Sequence, residues 1–467
     1  MNRNMLSSWL FTTDSYKSSQ WLQDPEDFTV ASGYIEARSS WKNYGIDKIV
    51  FVGLQPLLMD YPLKITKKEV ELADKIFDSH GVSFNKDGFM RIVNELDGNL
   101  PVQIDALPEG TVVSQGVPMV RITSTNEEFA WIVRFIETAL LRAVWYMSTV
   151  ASLSRAVRQN FIKYFEKTSD AVISDTLSVS DIDFKLHDFG FRGVSSRESG
   201  VLGGIAHMIS FKGSDTVGAL LGAMHYYNSD MPAFSIDASE HSTVTIRGRD
   251  GESEFLKQHI TNSGKNGILA SVVDSYNLYG IVDNVIGVEL KDFIINSGKT
   301  LVVRPDSGIP VDIVKYVLKS LWNSFGGEVN SKGFKVLHPS VRVIQGDGVN
   351  YNSITEILEM MVEENFAIDN IAFGMGGKLL QSVSRDDFAF ANKLSYAKVD
   401  GKDIDVYKDP ITDKGKTSKK GIVYVEKVKG EYVYTNKKPK KDELLTVWKN
   451  GKLLIKYNFD EVRKNSI

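Results

Sequence analysis

Seven times between residues 180 and 380, a short apolar run stops at a polar, glycine-bearing turn, and helix-forming sequence usually follows. In chain order the turns are KLHDFGFRGVSS (185–196), ISFKGSDTVG (209–218), FSIDASEHST (234–243), SVVDSYNLYG (271–280), LVVRPDSGIP (301–310), VRVIQGDGVN (341–350) and IAFGMGGKLL (371–380). Strands buried on both faces read as uninterrupted apolar runs. Strands that alternate with helices fold as βαβ units around a parallel sheet. In a (β/α) barrel the C-terminal strand ends surround one mouth. Here those ends carry Asp, Arg, His, Ser and Gly, a mixture that suits a phosphorylated ligand better than a packed core. The expected fold class is therefore α/β, an irregular (β/α) barrel.

The 467 residues leave room for a barrel of about 200–250 residues and a second lobe. Residues 1–130 mix strand-like pieces (48–58 and 110–123) with a charged amphipathic helix near 66–80. Residues 127–167 read as mostly helical, with Ser152 as an N-cap inside the stretch. After Tyr396 the chain turns lysine-rich and alternating, with Lys-Gly, Asn-Lys and Asn-Gly turns, which predicts an antiparallel meander. Its lysines read as a solvated face in preference to a nucleic-acid site. The resulting division is an N-terminal α+β segment (1–180), a barrel (181–388) and a β-rich C-terminal segment (389–467) that completes the lobe.

A net charge of −4 gives no argument for nucleic acid. The absence of cysteine excludes disulfides and thiolate metal sites. No apolar stretch has the length of a signal peptide or a membrane span, so a cytoplasmic protein is expected. Two motif lookalikes fail. Asp188-Phe189-Gly190 lacks the Gly-rich and His-Arg-Asp loops of a kinase. Gly298-Lys299-Thr300 and Gly415-Lys416-Thr417 have Phe293 and Pro410 where a phosphate loop needs glycine.

Several strand ends could carry chemistry. Arg304 offers a planar fork for phosphate, and Asp306 a partner for a ribose hydroxyl or a Mg²⁺-bound water. The plain alternative is an Arg–Asp pair with a turn. Gly346-Asp347-Gly348 and Gly376-Gly377 suit phosphate held by backbone N–H groups, although a single glycine turn often only closes a strand. His241 follows Glu240 at one strand end and Asp274 ends another. A carboxylate on one ring nitrogen would fix the tautomer and activate the other nitrogen. The plain reading of His241 is a surface or capping residue. Phe189 is either a stacking platform or core, Arg192 a phosphate or carbonyl partner, and Asp215 a ligand acceptor or an N-cap. His187 reads as structural.

Taken in order, Thr13-Asp14-Ser15-Tyr16-Lys17, residues 185–196, FKGSDTV (211–217), EHST (240–243), RPDSG (304–308), VIQGDGV (343–349), NIAFGMGG (370–377) and YKDP…SKKG (407–421) closely resemble the nicotinamide phosphoribosyltransferase family, across nearly the whole chain. The resemblance implies the fold of the type II phosphoribosyltransferases: an irregular α/β barrel with an α+β lobe from the N- and C-terminal segments, in a homodimer with active sites at the interface. It implies that nicotinamide and 5-phosphoribosyl-1-diphosphate give nicotinamide mononucleotide and diphosphate, with Mg²⁺ held mainly by the diphosphate; no protein ligand is assigned to the metal, and Asp306 and Asp347 are candidates to reach it through water. By the same resemblance Phe189 and the partner subunit's Tyr16 sandwich the nicotinamide ring. Asp215 accepts from the carboxamide, and Ser235 joins the substrate site. Arg192 and Arg304 meet phosphate oxygens, and Asp306 meets the ribose region. Gly346, Asp347, Gly376, Gly377 and Arg385 hold the 5′-phosphate side, and Arg38 and Lys393 reach in across the dimer. His241 is phosphorylated from ATP, with Asp274 orienting it.

The chain departs from the family pattern at Asp237 and Ser239, where smaller apolar residues are expected, and at Met375 and Lys378 beside the glycine pair. The SVVDSY turn (271–276) is one residue shorter than usual. The nearest alternative is a nicotinate phosphoribosyltransferase, against which the carboxylate of Asp215 argues. A non-catalytic interaction protein on this scaffold is a second. An aldolase or isomerase barrel is a third, with Lys185 or Lys212 as the reactive amine.

Overall fold

A computed structural model describes residues 8–60, 64–171, 181–412 and 417–467. Gly415 and Lys416 of the second phosphate-loop lookalike lie outside the described residues. The chain divides into two compact units: Met1–Ser152 with His225–Ser229 and Ser384–Ile467, and Leu153–Met224 with Asp230–Val383.

The second unit carries a parallel sheet of seven strands: β1 (Leu186–Asp188), β2 (Gly213–Ser214), β3 (Asp237–Ala238), β4 (Ile268–Val272), β5 (Thr300–Arg304), β6 (Val341–Gln345) and β7 (Ile371–Met375). Their order is β2-β1-β7-β6-β5-β4-β3, and every pairing is parallel. A parallel bridge joins Gly213 of β2 to Phe234, just ahead of β3. There Ser214 N donates to Phe234 O at 3.1 Å and Phe234 N to Lys212 O at 2.7 Å. The two sheet edges therefore meet, and the sheet closes into an irregular barrel. Each of the seven turns read from the sequence follows one of these strands.

The apolar runs are strands because both of their faces are covered. Leu301, Val303, Val341, Val343, Ile371 and Phe373 are buried. Ala270, Val302 and Ile344 form a small core to which Ile236, Ile268, Ala372 and Phe189 add their partly buried side chains. Helices Pro310–Phe325 and Tyr351–Glu363 bury one stripe each, Val314, Val317, Leu318 and Leu321 in the first and Ile354, Ile357, Leu358 and Met361 in the second. Each such side chain contributes about 1.5–3 kcal/mol of hydrophobic stabilisation.

The first unit is built on an antiparallel sheet in which Phe28–Ala37 pairs with both Pro118–Ser124 and Phe390–Val399. The N- and C-terminal segments thus share one sheet, as the family resemblance implied. Helix Lys67–His80 starts at a capping box between Thr66 and Glu69. Three local readings need correction. Residues 48–58 form only a short strand, Lys48–Val50, before helix Leu54–Asp60. Gly53, at φ 112°, turns the chain between them where a Cβ would lie 2.4 Å from the Ala143 carbonyl. Ser152 is no N-cap. It sits inside helix Glu137–Thr168, where its hydroxyl donates to Ser148 O at 2.6 Å and accepts from Val50 N at 2.9 Å. The C-terminal strands are not one meander. Tyr424–Val428 and Glu431–Thr435 form a separate hairpin, while Leu445–Lys449 pairs with Val102–Ala106. Strand alternation is visible in sequence, but the partner is not.

Candidate active site

A cavity of about 1050 Å³ opens at the C-terminal end of the barrel, large enough for two small substrates together. The turns after six strands line it. Phe189, Arg192 and Gly193 follow β1, and Asp215 and Thr216 follow β2. Ser239 to Ser242 follow β3, Arg304 ends β5 and Asp306 follows it. Gly346 to Asn350 follow β6, and Gly376 to Lys378 follow β7. The turn after β4 supplies Asp274, which reaches the site by its bond to His241.

His241 Nε2 stands 3.0 Å from Asp274 Oδ1, with His241 44% exposed and Asp274 only 3%. The other Asp274 oxygen accepts from Asp306 N at 3.0 Å and from Ser307 Oγ. A carboxylate can only accept, so the neutral imidazole carries its proton on Nε2 and leaves Nδ1 as the lone-pair nitrogen. Nδ1 lies 4.0 Å from Asp306 Oδ2. The shortened turn thus still brings Asp274 to His241.

Arg304 makes no ion pair with Asp306. Its Nη2 donates to Ser239 O at 2.8 Å, and its Nε is buried without a partner among the described residues. An unsatisfied guanidinium N–H beside a cavity is a ready anion donor. Asp215 is not a helix cap. Its Oδ1 accepts from Ser235 Oγ at 2.6 Å, which fixes the carboxylate at the cavity wall. Phe189 joins both alternatives, since its ring packs on the barrel core and also lines the cavity. It lies directly on β7: a Cβ on Gly374 would come within 2.0 Å of the ring.

Beneath the ring, the buried Asp188 ties two turns together. Its Oδ1 accepts from Gly190 N at 2.7 Å, and its backbone carbonyl accepts from Asp215 N at 3.0 Å. Burial raises its carboxyl to about 6. His187 is buried under Gly213, and burial pushes its ring below the ordinary histidine range.

The Gln345 amide holds the Gly346–Gly348 turn through the Asp347 carbonyl at 2.8 Å. Helix Tyr351–Glu363 starts beside it, capped by Asn350. Gly376 and Gly377 open the short helix Gly377–Leu380. Of the departures, Met375 is buried and Lys378 adds a cation to the cavity. Asp237 accepts from Gly264 N at 2.7 Å and does not line the cavity.

Tyr16, Arg38, Arg385 and Lys393 belong to the first unit and are not among the cavity's lining residues. Tyr16 is 58% exposed. Arg38 donates from Nε to Ala389 O at 3.1 Å, and Arg385 pairs with Asp386 at 3.0 Å. Burial and the cations Arg38, Lys408 and Lys17 depress the Lys393 amine, against Glu137.

The Schiff-base alternative finds no amine at the mouth in the expected lysines. Lys185 donates to the carbonyls of Ile368, Asp369 and Ile371 at 2.9–3.2 Å, and Lys212 pairs with Asp183 at 3.1 Å. Both precede their strands.

Sequence reasoning had no role for Asp188, Gly374 or Asn350. Only Gly374 left a signal, as a glycine inside an apolar strand.

Residues 184–452 match the model of the nicotinate phosphoribosyltransferase (NAPRTase) family, and residues 8–104 match the nicotinamide phosphoribosyltransferase N-terminal domain. A nicotinamide phosphoribosyltransferase of Xanthomonas campestris pv. campestris is 42% identical over 99% of this chain and 98% of its own. One from Acinetobacter baylyi is 30% identical over 97% of this chain and 95% of its own. In fold, the chain resembles the solved structures of a nicotinate-nucleotide pyrophosphorylase from Pyrococcus furiosus (TM-score 0.62, 18% identity, 100% of this chain and 96% of that one) and of human nicotinic acid phosphoribosyltransferase (TM-score 0.55, 15% identity, 97% and 92%).

Proposed function

The chain belongs to the nicotinate phosphoribosyltransferase family, and on that premise we propose that it joins nicotinamide to 5-phosphoribosyl-1-diphosphate, releasing nicotinamide mononucleotide and diphosphate. The observation that carries the choice of nicotinamide is Asp215, whose carboxylate lines the cavity and is held by Ser235 at 2.6 Å. A fixed carboxylate accepts from a carboxamide NH₂ and repels the carboxylate of nicotinic acid. Phe189 offers one face to the pyridine ring.

In this reading the pyridine nitrogen attacks the ribose C1 as its bond to diphosphate breaks. The reacting centre passes through an oxocarbenium-like state that the site meets with positioned charge. Arg192 and Arg304 take phosphate oxygens, Asp306 the ribose hydroxyls, and the turns at Gly346–Asp347 and Gly376–Gly377 the 5′-phosphate.

Among the described residues no group of three or more His, Cys, Asp or Glu could hold a metal. Asp306 and Asp347 both line the cavity, a donor set that fits Mg²⁺ held mainly by substrate diphosphate and water. Bound there, Mg²⁺ would neutralise charge on the departing diphosphate.

His241 is the acceptor for the γ-phosphoryl group of ATP, a coupling substrate. The Nδ1 lone pair forms the N–P bond, the bond from phosphorus to the bridging oxygen breaks, and ADP leaves. The Nε2 proton stays on the ring, bonded to Asp274. The added negative charge would stand beside Asp306 and the diphosphate site.

The working form is a homodimer. Helix Val217–Tyr227 leaves Val217 and Leu221 70% and 68% exposed, an apolar stripe that a second copy would cover. Tyr16, Arg38 and Lys393 would then complete a site with the partner, with Arg385 on the 5′-phosphate side. No helix among the described residues is long and apolar enough to cross a membrane, and a cysteine-free chain fits the cytoplasm.

The test is a mass-resolved product assay with 5-phosphoribosyl-1-diphosphate, Mg²⁺ and equal nicotinamide and nicotinic acid, with and without ATP. The expected product is nicotinamide mononucleotide, increased by ATP. Predominant nicotinic acid mononucleotide would overturn the Asp215 assignment. No nucleotide from folded protein would overturn the enzymatic reading.

A further inference from the structure

Ser239 sits where strand pairing ends and the site begins. Its N–H continues the β3–β4 ladder by donating to Ala270 O at 3.0 Å. In a parallel ladder the next bond would run from Val272 N to the Ser239 carbonyl. Here that position is taken by the Ser239 hydroxyl, whose Oγ accepts from Val272 N at 2.9 Å. The carbonyl so released accepts from Arg304 Nη2 at 2.8 Å. Ser239 is 5% exposed, so this exchange takes place away from water.

We infer that Ser239 is a positioning residue for Arg304: by substituting its hydroxyl for its own carbonyl in the ladder, it frees that carbonyl to anchor the guanidinium that holds the diphosphate-bearing substrate. The inference rests on the reading of Arg304 given above. A small apolar residue at 239, which the family resemblance leads one to expect, offers a single acceptor. Val272 N and Arg304 Nη2 would then compete for one carbonyl oxygen. The ladder bond is favoured by β-geometry, so the arginine would lose its anchor. With Ser239 both donors are satisfied, and Arg304, whose Nε has no partner among the described residues, is held at the cavity wall for an anion.

The full-length protein and three variants, Ser239→Ala, Ser239→Thr and Arg304→Ala, would be titrated with inorganic diphosphate in Mg²⁺ by calorimetry, with KM measured for each substrate. For Ser239→Ala we expect diphosphate binding to weaken roughly tenfold, as for loss of one charge-assisted hydrogen bond. KM for 5-phosphoribosyl-1-diphosphate should rise by a similar factor while KM for nicotinamide stays unchanged. Ser239→Thr keeps the hydroxyl and should restore binding, which a purely structural role for this position would not require. If Ser239→Ala binds diphosphate like the parent while Arg304→Ala binds it weakly, the positioning role is wrong and the reading of Arg304 survives. If Arg304→Ala also binds diphosphate like the parent, the anion role of Arg304 falls and this inference falls with it.

Discussion

Asp274 Oδ1 lies 3.0 Å from His241 Nε2, and its other oxygen is held by Asp306 N at 3.0 Å. One buried carboxylate therefore orients the imidazole and the Arg304–Gly308 turn together. His241→Ala should abolish stimulation by ATP and leave ATP-independent synthesis in place. Asp274→Asn should slow phosphorylation of His241 by roughly 10- to 100-fold, the range for losing a charged hydrogen bond of about 1.5–3 kcal/mol. Rates of ³²P transfer from ATP check both. ATP stimulation that survives in His241→Ala would remove the phosphohistidine from the scheme.

Asp215 is fixed by Ser235 at 2.6 Å. Asp215→Asn replaces an acceptor with a group that tolerates a substrate carboxylate. The ratio of kcat/KM for nicotinamide over nicotinic acid should fall by about tenfold or more. Ser235→Ala, which only frees the carboxylate to rotate, should lower the same ratio less. An unchanged ratio in Asp215→Asn would take this residue out of specificity.

The barrel was legible because each strand announces itself twice, by an apolar run and by the polar turn that must end it. His241, Arg304, Asp306 and Asp347 fall on those turns, so the sequence showed that they share a mouth. Distances were not legible. Whether Arg304 pairs with Asp306 or with Ser239 depends on which carbonyl the β3–β4 ladder leaves free. Asp188 gave no signal, because its work is done from beneath the site through Gly190 N and the Asp215 amide. Tyr16, Arg38 and Lys393 entered by resemblance alone: nothing local to residues 16, 38 or 393 marks a site, and long-range pairing such as that of Phe28–Ala37 with Phe390–Val399 leaves no periodic trace.

Gly374 makes room for the Phe189 ring, against which a Cβ would stand at 2.0 Å. Gly374→Ala must push the ring into the cavity or off the strand. Overpacking of this kind costs about 1–3 kcal/mol, so Tm should drop by a few degrees. If Phe189 stacks on the pyridine ring as proposed, KM for nicotinamide should rise much more than KM for 5-phosphoribosyl-1-diphosphate. Equal rises in both would argue that Phe189 serves the core and not the ligand.

Asp188 carries a pH signature. Burial raises its carboxyl to about 6 from 3.8, opposed by the hydrogen bond that Oδ1 accepts from Gly190 N. The folded state thus holds the proton more tightly than the unfolded chain. The contribution to stability is best below pH 4, declines as pH rises through about 6 and stays lowered above that. At pH 7 the shift corresponds to about 3 kcal/mol. Asp188→Asn keeps an acceptor for Gly190 N and removes the charge. It should raise Tm at pH 7 and give no gain at pH 4. A gain of equal size at both pH values would show that the charge is not the cause.

If the first unit of one subunit serves the site of the other, two inactive variants should repair each other. Arg38→Ala damages the contributed side and Asp306→Ala the barrel side. In a mixed dimer, one site would combine the intact Arg38 of the Asp306→Ala chain with the intact Asp306 of the Arg38→Ala chain. The second site would carry both lesions. Random pairing makes half of the dimers mixed, each with one good site in two, so activity should recover to about a quarter of the parent. The measurement is nicotinamide mononucleotide formed after the two purified variants are dissociated and reassembled together, against each reassembled alone. Recovery above the sum of the separate variants requires a shared site. Absence of recovery, with mixed dimers confirmed by mass, would assign Arg38 to its own chain's site or to none.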